Sequence, residues 1–296
     1  MKYVSLALMV IGALVMMVAI KKYYEMVMTA REEEYPSQTS SARVGVFSLI
    51  LMFIFLGGFV VGLVDVITRN VEPIYLFVTL IFFLGAIFIY STINAEHIML
   101  IQLREKTMEI MKTFVNSIEM KDEYTRGHSQ HVYYITAVFY DHLKAEDKDR
   151  TNRTRLLDAA LLHDIGKISI SDEILKNPEK ITGGEDSEQI KKHPLNGKKI
   201  LDDTCFSVIS DWVLYHHERM DGKGYYNLPG EKIPFESRII AIADTYSALR
   251  TDRVYREKKT HKEVIKIMQG EAGRQFDTDL LECFCKIDSE ELSNLR

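Results

Sequence analysis

The chain has 296 residues and a formal net charge of −5, and 47% of its residues are hydrophobic. This composition excludes a disordered chain, and three cysteines are too few for a disulfide scaffold. The acidic sum argues against a partner that is a nucleic-acid polymer, because such a binder needs a basic face. The charges are unevenly placed: residues 1–94 contain six Lys or Arg, six Asp or Glu and no histidine.

Three apolar stretches without a charged residue occupy this first third. About 20 helical residues cross a hydrocarbon core about 30 Å thick, so the stretches predict membrane spans. A cleaved signal peptide is the alternative for the first stretch, but Lys21 and Lys22 follow it and no small-residue cleavage site does. The sequence therefore predicts a three-span anchor over residues 1–94, with spans at about 4–20, 44–64 and 74–93.

The basic residues of the loops predict the orientation of these spans. The loop at 21–43 carries four Lys or Arg, whereas the loop at 65–73 carries only Arg69. Loops rich in Lys and Arg remain in the cytoplasm. We therefore expect a multi-pass protein in a lipid bilayer, with its N-terminus outside and its C-terminal part in the cytoplasm.

Residues 95–120 lack proline and glycine and predict a helical neck that continues the third span. Apolar residues at Leu103, Ile110, Phe114 and Ile118 follow the spacing of an amphipathic helix. Two interpretations stay open here. The neck either forms a parallel coiled coil in a homodimer or packs on its own domain.

The rest of the chain, a domain at 115–296, predicts an all-α fold, because apolar residues recur at spacings of three and four. Loops are expected at 177–184 and 221–233, where Gly, Pro and Asn collect. Helices are expected over residues 155–163, 188–200, 205–217, 237–249 and 262–270.

Histidine and aspartate are the residues of this domain that point to chemistry. Imidazole and carboxylate together suit first-row metals such as Fe, Mn or Zn. Seven such ligands exceed what one tetrahedral ion takes, so two ions sharing the carboxylate of Asp164 is the natural count. The candidates are His128, the adjacent pair His163–Asp164, His193, the adjacent pair His216–His217, and Asp244.

Six separated segments resemble, in order, the motifs of the HD-GYP family, bacterial cyclic di-GMP phosphodiesterases within the HD metal-hydrolase superfamily. The resemblance covers roughly residues 115–287. The segments are YTRGHS at 124–129, LHDIGKI at 162–168, KHPLNG at 192–197, HHERMDGKGY at 216–225, IAIAD at 240–244 and TDRVYR at 251–256.

The resemblance implies that all seven candidates are ligands of two divalent ions, most consistent with Fe or Mn. It implies that Asp164 bridges the ions, that a hydroxide between them attacks phosphorus, and that Lys167 stabilises the developing negative charge. Arg253 and Arg256 match basic positions that face the phosphates of the substrate. The products would be pGpG, GMP or both. The protein would be located in the bacterial cytoplasmic (inner) membrane.

Two positions depart from the family pattern. The run Gly224-Tyr225-Tyr226 replaces Gly-Tyr-Pro, which puts docking of a GGDEF-type partner in doubt more than it does hydrolysis. Tyr124 stands where some members have a glutamate that binds a third metal, which favours two ions. His131 stands where many relatives have arginine and has no assigned role.

Two other functions stay open at this point. The domain could bind a cyclic dinucleotide and signal without catalysis, although no predicted ligand is missing. It could also hydrolyse another cyclic nucleotide, because two metals and a phosphate clamp suit many phosphodiesters.

Overall fold

The computed structural model describes residues 2–33, 40–68, 73–121, 127–175, 185–251 and 259–293. Within these ranges the chain is helical, and its β-structure is one isolated bridge between Ala272 and Phe276. The predicted all-α class, with apolar N-terminal helices ahead of a helical domain, is confirmed. The chain divides into two compact units, residues 1–108 and 109–296.

Three long helices contain the predicted spans. They are α1 (Lys2–Glu33), α2 (Ser40–Thr68) and α3 (Pro73–Glu119). Each has the length and apolar composition needed to cross a membrane. The chain therefore has the helices of a multi-pass membrane protein. Helix α3 runs through residues 94 and 95, so the proposed boundary between anchor and neck falls inside one helix.

The helices of the first unit pack through aromatic rings placed over glycines. The Phe55 ring stacks on Phe82 at 5.1 Å between centroids, and Phe59 meets Phe82 edge to face at 5.5 Å. A side chain at Gly12 or Gly58 would collide with the ring of Phe59 or Phe82, respectively. Small residues at such contacts let apolar helices approach closely, which is how helices associate in lipid.

The second unit consists of short helices. They are α4 (His128–His142), α5 (Ala145–Lys148), α6 (Arg153–Leu162), α7 (Asp172–Leu175), α8 (Glu185–Ile190), α9 (His193–Asp202), α10 (Ser210–Leu214), α11 (Phe235–Arg250), α12 (His261–Gln269), α13 (Thr278–Phe284) and α14 (Ser289–Ser293). Short 3₁₀ helices lie at Ile165–Ser169, Cys205–Ile209 and Gly230–Lys232. The loop predicted at 177–184 lies outside the described residues.

Two predicted helices are interrupted. The helix predicted over 188–200 is wrong as one element, because α8 ends at Ile190 and α9 begins at His193. Pro194 explains the break: a proline ring clashes with the carbonyl four residues earlier, which is that of Ile190. The helix predicted over 205–217 is 3₁₀ at first and α-helical only to Leu214.

The end of the neck packs on its own domain. Val115 and Ile118 are buried, with 4% and 6% of their surface exposed. Ile110 and Phe114 stay exposed at 69% and 46%. The last turn thus follows the second interpretation of the neck, whereas the coiled-coil dimer stays a prediction.

A backbone contact brings two of the motif segments together. A Cβ atom at Gly166 would lie 1.9 Å from the carbonyl oxygen of His193 and 2.4 Å from the nitrogen of Gly197. Only glycine leaves room for this approach. The first turn of α9 can therefore lie directly against the 3₁₀ helix that follows Asp164.

Gly166→Ala is expected to destabilise the second unit by at least about 2 kcal/mol, because the added methyl group meets backbone that cannot rotate away. Urea unfolding of the full chain in detergent micelles measures this through the emission of Trp212, the single tryptophan. Trp212 lies in α10, so its signal reports the second unit.

The matched control is Gly270→Ala. Gly270 ends α12 in right-handed helical conformation, at φ −64°, and its Cβ would meet carbonyl oxygens of that helix at 3.3 and 3.8 Å. This variant should unfold close to wild type. Equal unfolding midpoints for both variants would contradict the role of the Gly166 contact.

Candidate metal centre

Six of the seven predicted ligands lie at or just beyond helix ends, and all seven converge in the second unit. His128 begins α4 and His193 begins α9. His163–Asp164 follow the last residue of α6, and His216–His217 follow α10 by one residue. Asp244 lies in the middle of α11. His217 and Asp244 are partly buried and the other five are buried.

Six of the ligands form two sets in which one ligand atom of each residue lies within 4.8 Å of the others. The shared carboxylate of Asp164 connects the sets: its Oδ1 lies 3.1 Å from His193 Nε2 and its Oδ2 3.4 Å from His163 Nε2. Asp244 joins through Oδ1, which lies 2.9 Å from His128 Nε2. One set is His128, His163 and Asp164, and the other is His193, His216 and His217.

Three of the imidazoles are oriented by the backbone of their own segment, because each Nδ1 donates to the carbonyl oxygen three residues earlier. A carbonyl oxygen only accepts, so Nδ1 carries the hydrogen and Nε2 points into the site. The distances are 2.8 Å from His163 to Ala160, 2.7 Å from His193 to Ile190 and 2.6 Å from His216 to Val213.

These side chains fit a metal ion. The buried Nε2 of His163 has no hydrogen-bond partner among the described residues. The Nε2 atoms of His193 and His216 face each other at 3.5 Å. Buried nitrogens normally have partners, whereas an imidazole that donates from one nitrogen and presents the other is the usual metal ligand.

The net effect of burial and neighbouring charges is a raised pKa for His163 and lowered pKa values for His216 and His217. Burial opposes charge on His163, but Asp164 and Asp244 outweigh it and raise its pKa to about 9. Burial lowers the pKa of His217 to about 3, assisted by the neighbouring His193. The pKa of His216 is also lowered by burial and its imidazole neighbours.

The carboxyl groups of the site remain ionised. Burial opposes the charge of Asp164, but Lys167 and His163 hold its pKa well below the usual range. Burial likewise opposes the charge of Asp244, whose pKa is lowered by the hydrogen bond to His128 and by the surrounding imidazoles. The site thus presents two carboxylates at neutral pH.

Among the remaining predicted site residues, the structure describes Lys167. Lys167 Nζ lies 2.6 Å from Asp164 Oδ2, beside the shared carboxylate. Arg253, Arg256 and Tyr124 lie outside the described residues, so the phosphate clamp and the count of two ions stay predictions.

The structure gives a position to His131 and adds Ser247, which the motifs do not contain. The hydroxyl of Ser247 lies 3.0 Å from Nδ1 of His128 and 2.9 Å from Nδ1 of His131. Ser247 is fully buried in α11, one turn after Asp244. Ser247 could have been predicted from its spacing of three from Asp244, because residues three apart share one helix face.

The loop with Gly224-Tyr225-Tyr226 is held by Glu218. The buried carboxylate of Glu218 accepts from the backbone N–H of Tyr226 at 2.7 Å and of Leu228 at 2.8 Å. The ring of Tyr225 then lies 4.7 Å from that of His217. The N–H of Tyr226 thus makes a hydrogen bond that the family's proline could not make, because proline has no backbone N–H.

Comparisons with known proteins identify the family of this region. A family model described as "HD domain" matches residues 112–280, more than half of the chain. The chain therefore belongs to the HD domain family. The predicted relation to the HD-GYP cyclic di-GMP phosphodiesterases is confirmed, at about one third identity.

Several curated proteins share this region. The cyclic di-GMP phosphodiesterase response regulator RpfG of Xanthomonas campestris is 33% identical over 60% of this chain and 47% of its own length. The 3′3′-cGAMP-specific phosphodiesterase 2 of Vibrio cholerae is 32% identical over 62% of this chain and 35% of its own length. The chain thus spans less than half the length of either relative.

A solved structure also matches. The crystal structure of the cyclic GMP-AMP-specific phosphodiesterase V-cGAP3 of Vibrio cholerae gives a TM-score of 0.48 at 18% identity. The match covers 64% of this chain and 50% of the solved chain.

The stability of the metal-free chain should peak near pH 6.5. His163 is protonated up to about pH 9 when folded but only to 6.5 when unfolded, so its contribution is complete below 6.5 and lost as the pH rises through 9. His217 acts oppositely, since its folded pKa of about 3 makes stability fall below pH 6.5. A difference of one bound proton between the folded and unfolded chain changes the free energy of unfolding by about 1.4 kcal/mol per pH unit.

Urea unfolding followed by Trp212 emission, with EDTA and then with Mn²⁺, measures this profile. Bound metal should abolish the loss of stability above pH 6.5, because His163 gives up its proton when it becomes a metal ligand. His163→Gln should abolish it without metal. An alkaline decline that persists in His163→Gln would contradict the assignment.

Tyr226→Pro should destabilise the second unit by about 1–3 kcal/mol, because it leaves one buried oxygen of Glu218 without a donor. Tyr226→Ala is the matched control, since it loses the same side chain and keeps the N–H. The difference between the two unfolding free energies, read from Trp212, isolates the bond. Equal unfolding free energies for the two variants would mean that the hydrogen bond from the Tyr226 N–H to Glu218 does not stabilise the domain.

Proposed function

We propose that this chain is a metal-dependent phosphodiesterase that hydrolyses a cyclic dinucleotide, cyclic di-GMP first, to pGpG, GMP or both. The observation that carries the proposal is the pair of His/Asp sets linked by the carboxylate of Asp164. Relatives at 30–37% identity whose printed names state this class of activity support it.

The seven ligands, Asp164 among them, would hold two divalent ions, Fe or Mn. Such ions lower the pKa of water and neutralise phosphate charge. The chain's own contribution is orientation: fixed tautomers present Nε2 of His163, His193 and His216 to one buried space. These three imidazoles would then need no reorientation as the reaction proceeds.

Three further groups would act on the substrate. Lys167, 17% exposed at its side chain, lies at the edge of the site and would stabilise negative charge that develops on the phosphate. The ring of Tyr225 beside His217 offers an aromatic face on which a nucleobase could stack. Arg253 and Arg256 are proposed to bind the second phosphate.

We place the protein in the bacterial cytoplasmic membrane with its N-terminus outside and the HD domain in the cytoplasm. The Lys and Arg of the loop at 21–43 support this orientation. The homodimer through the neck remains a prediction, and the Gly224-Tyr225-Tyr226 run argues against docking of a GGDEF-type partner.

A second substrate is supported by one finding. Three relatives from Vibrio cholerae, 32–37% identical, are named as specific for 3′3′-cGAMP. The two dinucleotides differ only in one base, so the phosphodiester chemistry proposed for the site serves both.

The purified 296-residue chain with Mn²⁺ or Fe²⁺ should convert cyclic di-GMP to pGpG or GMP, with 3′3′-cGAMP assayed in parallel. Asp164→Ala should fall to the level of a metal-free sample, because it removes the carboxylate that connects the two ligand sets. Lys167→Met should lower kcat about 100-fold with less effect on KM. Product analysis by chromatography measures the rates.

Lys199→Met is the matched control, because Lys199 is exposed on α9. It should retain wild-type rates, and metal content is measured on each sample. Binding of either dinucleotide without turnover would support the non-catalytic alternative. Wild-type turnover equal to that of Asp164→Ala would overturn the proposal.

A further inference from the structure

Glu119, the last residue of α3, reaches across to the start of α4. It is 4% exposed, and both of its carboxylate oxygens accept backbone hydrogen bonds. Oε2 accepts from the N–H of Gly127 at 2.6 Å, and Oε1 from the N–H of Ser129 at 2.7 Å. These two amides flank His128, one of the candidate metal ligands.

The start of α4 has no side-chain cap of its own. Gly127 occupies the N-cap position with a left-handed φ of 76°, and it has no side chain that could accept. The first amides of a helix need acceptors, and a carboxylate satisfies them best because it also opposes the positive end of the helix dipole. Glu119 supplies this cap from outside the helix.

We infer that Glu119 is a positioning residue for the metal centre: its carboxylate fixes the backbone of His128 and thereby the site of one ion. The inference rests on the proposed function only in assuming that the centre binds metal. Hydrogen bonds to a charged acceptor are shorter and stronger than neutral ones, so two of them hold the segment firmly.

The surroundings of Glu119 support this role. Val115, Ile118 and Glu119 line one small cavity together with Asp164 and Lys167. The last turn of α3 thus lies beside the shared carboxylate as well as beside His128. His128 Nε2, at 2.9 Å from Asp244 Oδ1, is the atom that a shift of the α4 backbone would displace.

The test is calorimetric titration of Mn²⁺ into the EDTA-stripped 296-residue chain in detergent micelles. Glu119→Gln keeps the shape but can accept only one of the two bonds. We expect it to weaken one Mn²⁺ site about 10- to 100-fold, the usual effect of losing a group behind a ligand. The site formed by His193, His216 and His217 should keep its affinity.

Two further variants sharpen the result. Glu105→Gln, at an exposed position of the same helix, should bind like wild type. Glu119→Asp keeps the charge and should bind better than Glu119→Gln. Metal-free unfolding, followed by Trp212, shows whether each variant is folded.

The inference is overturned if Glu119→Gln binds both ions like wild type, or if both sites weaken together as metal-free stability falls. Failure of both Glu119 variants to fold would also overturn it, since that would assign Glu119 a structural role. Wild type that binds two ions without hydrolysis would contradict only the proposed function. Wild type that binds no Mn²⁺ would contradict the metal centre on which both rest.

Discussion

The buried carboxylate of Asp164 is the constraint on which the domain depends. A buried charge is stable only with close partners, and Asp164 has them in His163, His193 and Lys167. The partners come from separate segments, so satisfying one charge requires these segments to converge. The glycine at 166 makes that convergence sterically feasible, because a side chain there would enter the backbone of α9. The folded domain therefore brings the ligands of the site together at this charge.

Much of the fold could be predicted from the sequence, because long apolar stretches and helical spacing are local signals. The adjacent pairs His163–Asp164 and His216–His217 could be recognised for the same reason, as could the lone ligands within their motifs. The break before α9 needed attention to Pro194, which acts on a carbonyl four residues earlier. Arg253 and Arg256 illustrate a different limit, since they lie outside the described residues.

The supporting groups escaped the sequence because their partners are distant or are backbone atoms. Ser247 contacts His128, 119 positions earlier in the chain. Glu218 binds amides of its own loop, and Glu119 binds amides of the next helix, so neither produces a pattern of paired side chains. A glutamate at a helix end reads as an ordinary surface residue until its burial is known. The replacement of proline by Tyr226 is similar, since its effect lies in the N–H rather than in the ring.

The way the ligands are oriented has a consequence for sequence divergence. Nδ1 of His163, His193 and His216 binds the carbonyl oxygens of residues 160, 190 and 213, and every amino acid has that oxygen. Substitutions at these three positions therefore leave the direction of the imidazoles intact, provided that the local turn is preserved. The metal centre can therefore tolerate substitutions at residues 160, 190 and 213. Selection for the orientation of the imidazoles acts on the shape of the backbone and not on these side chains.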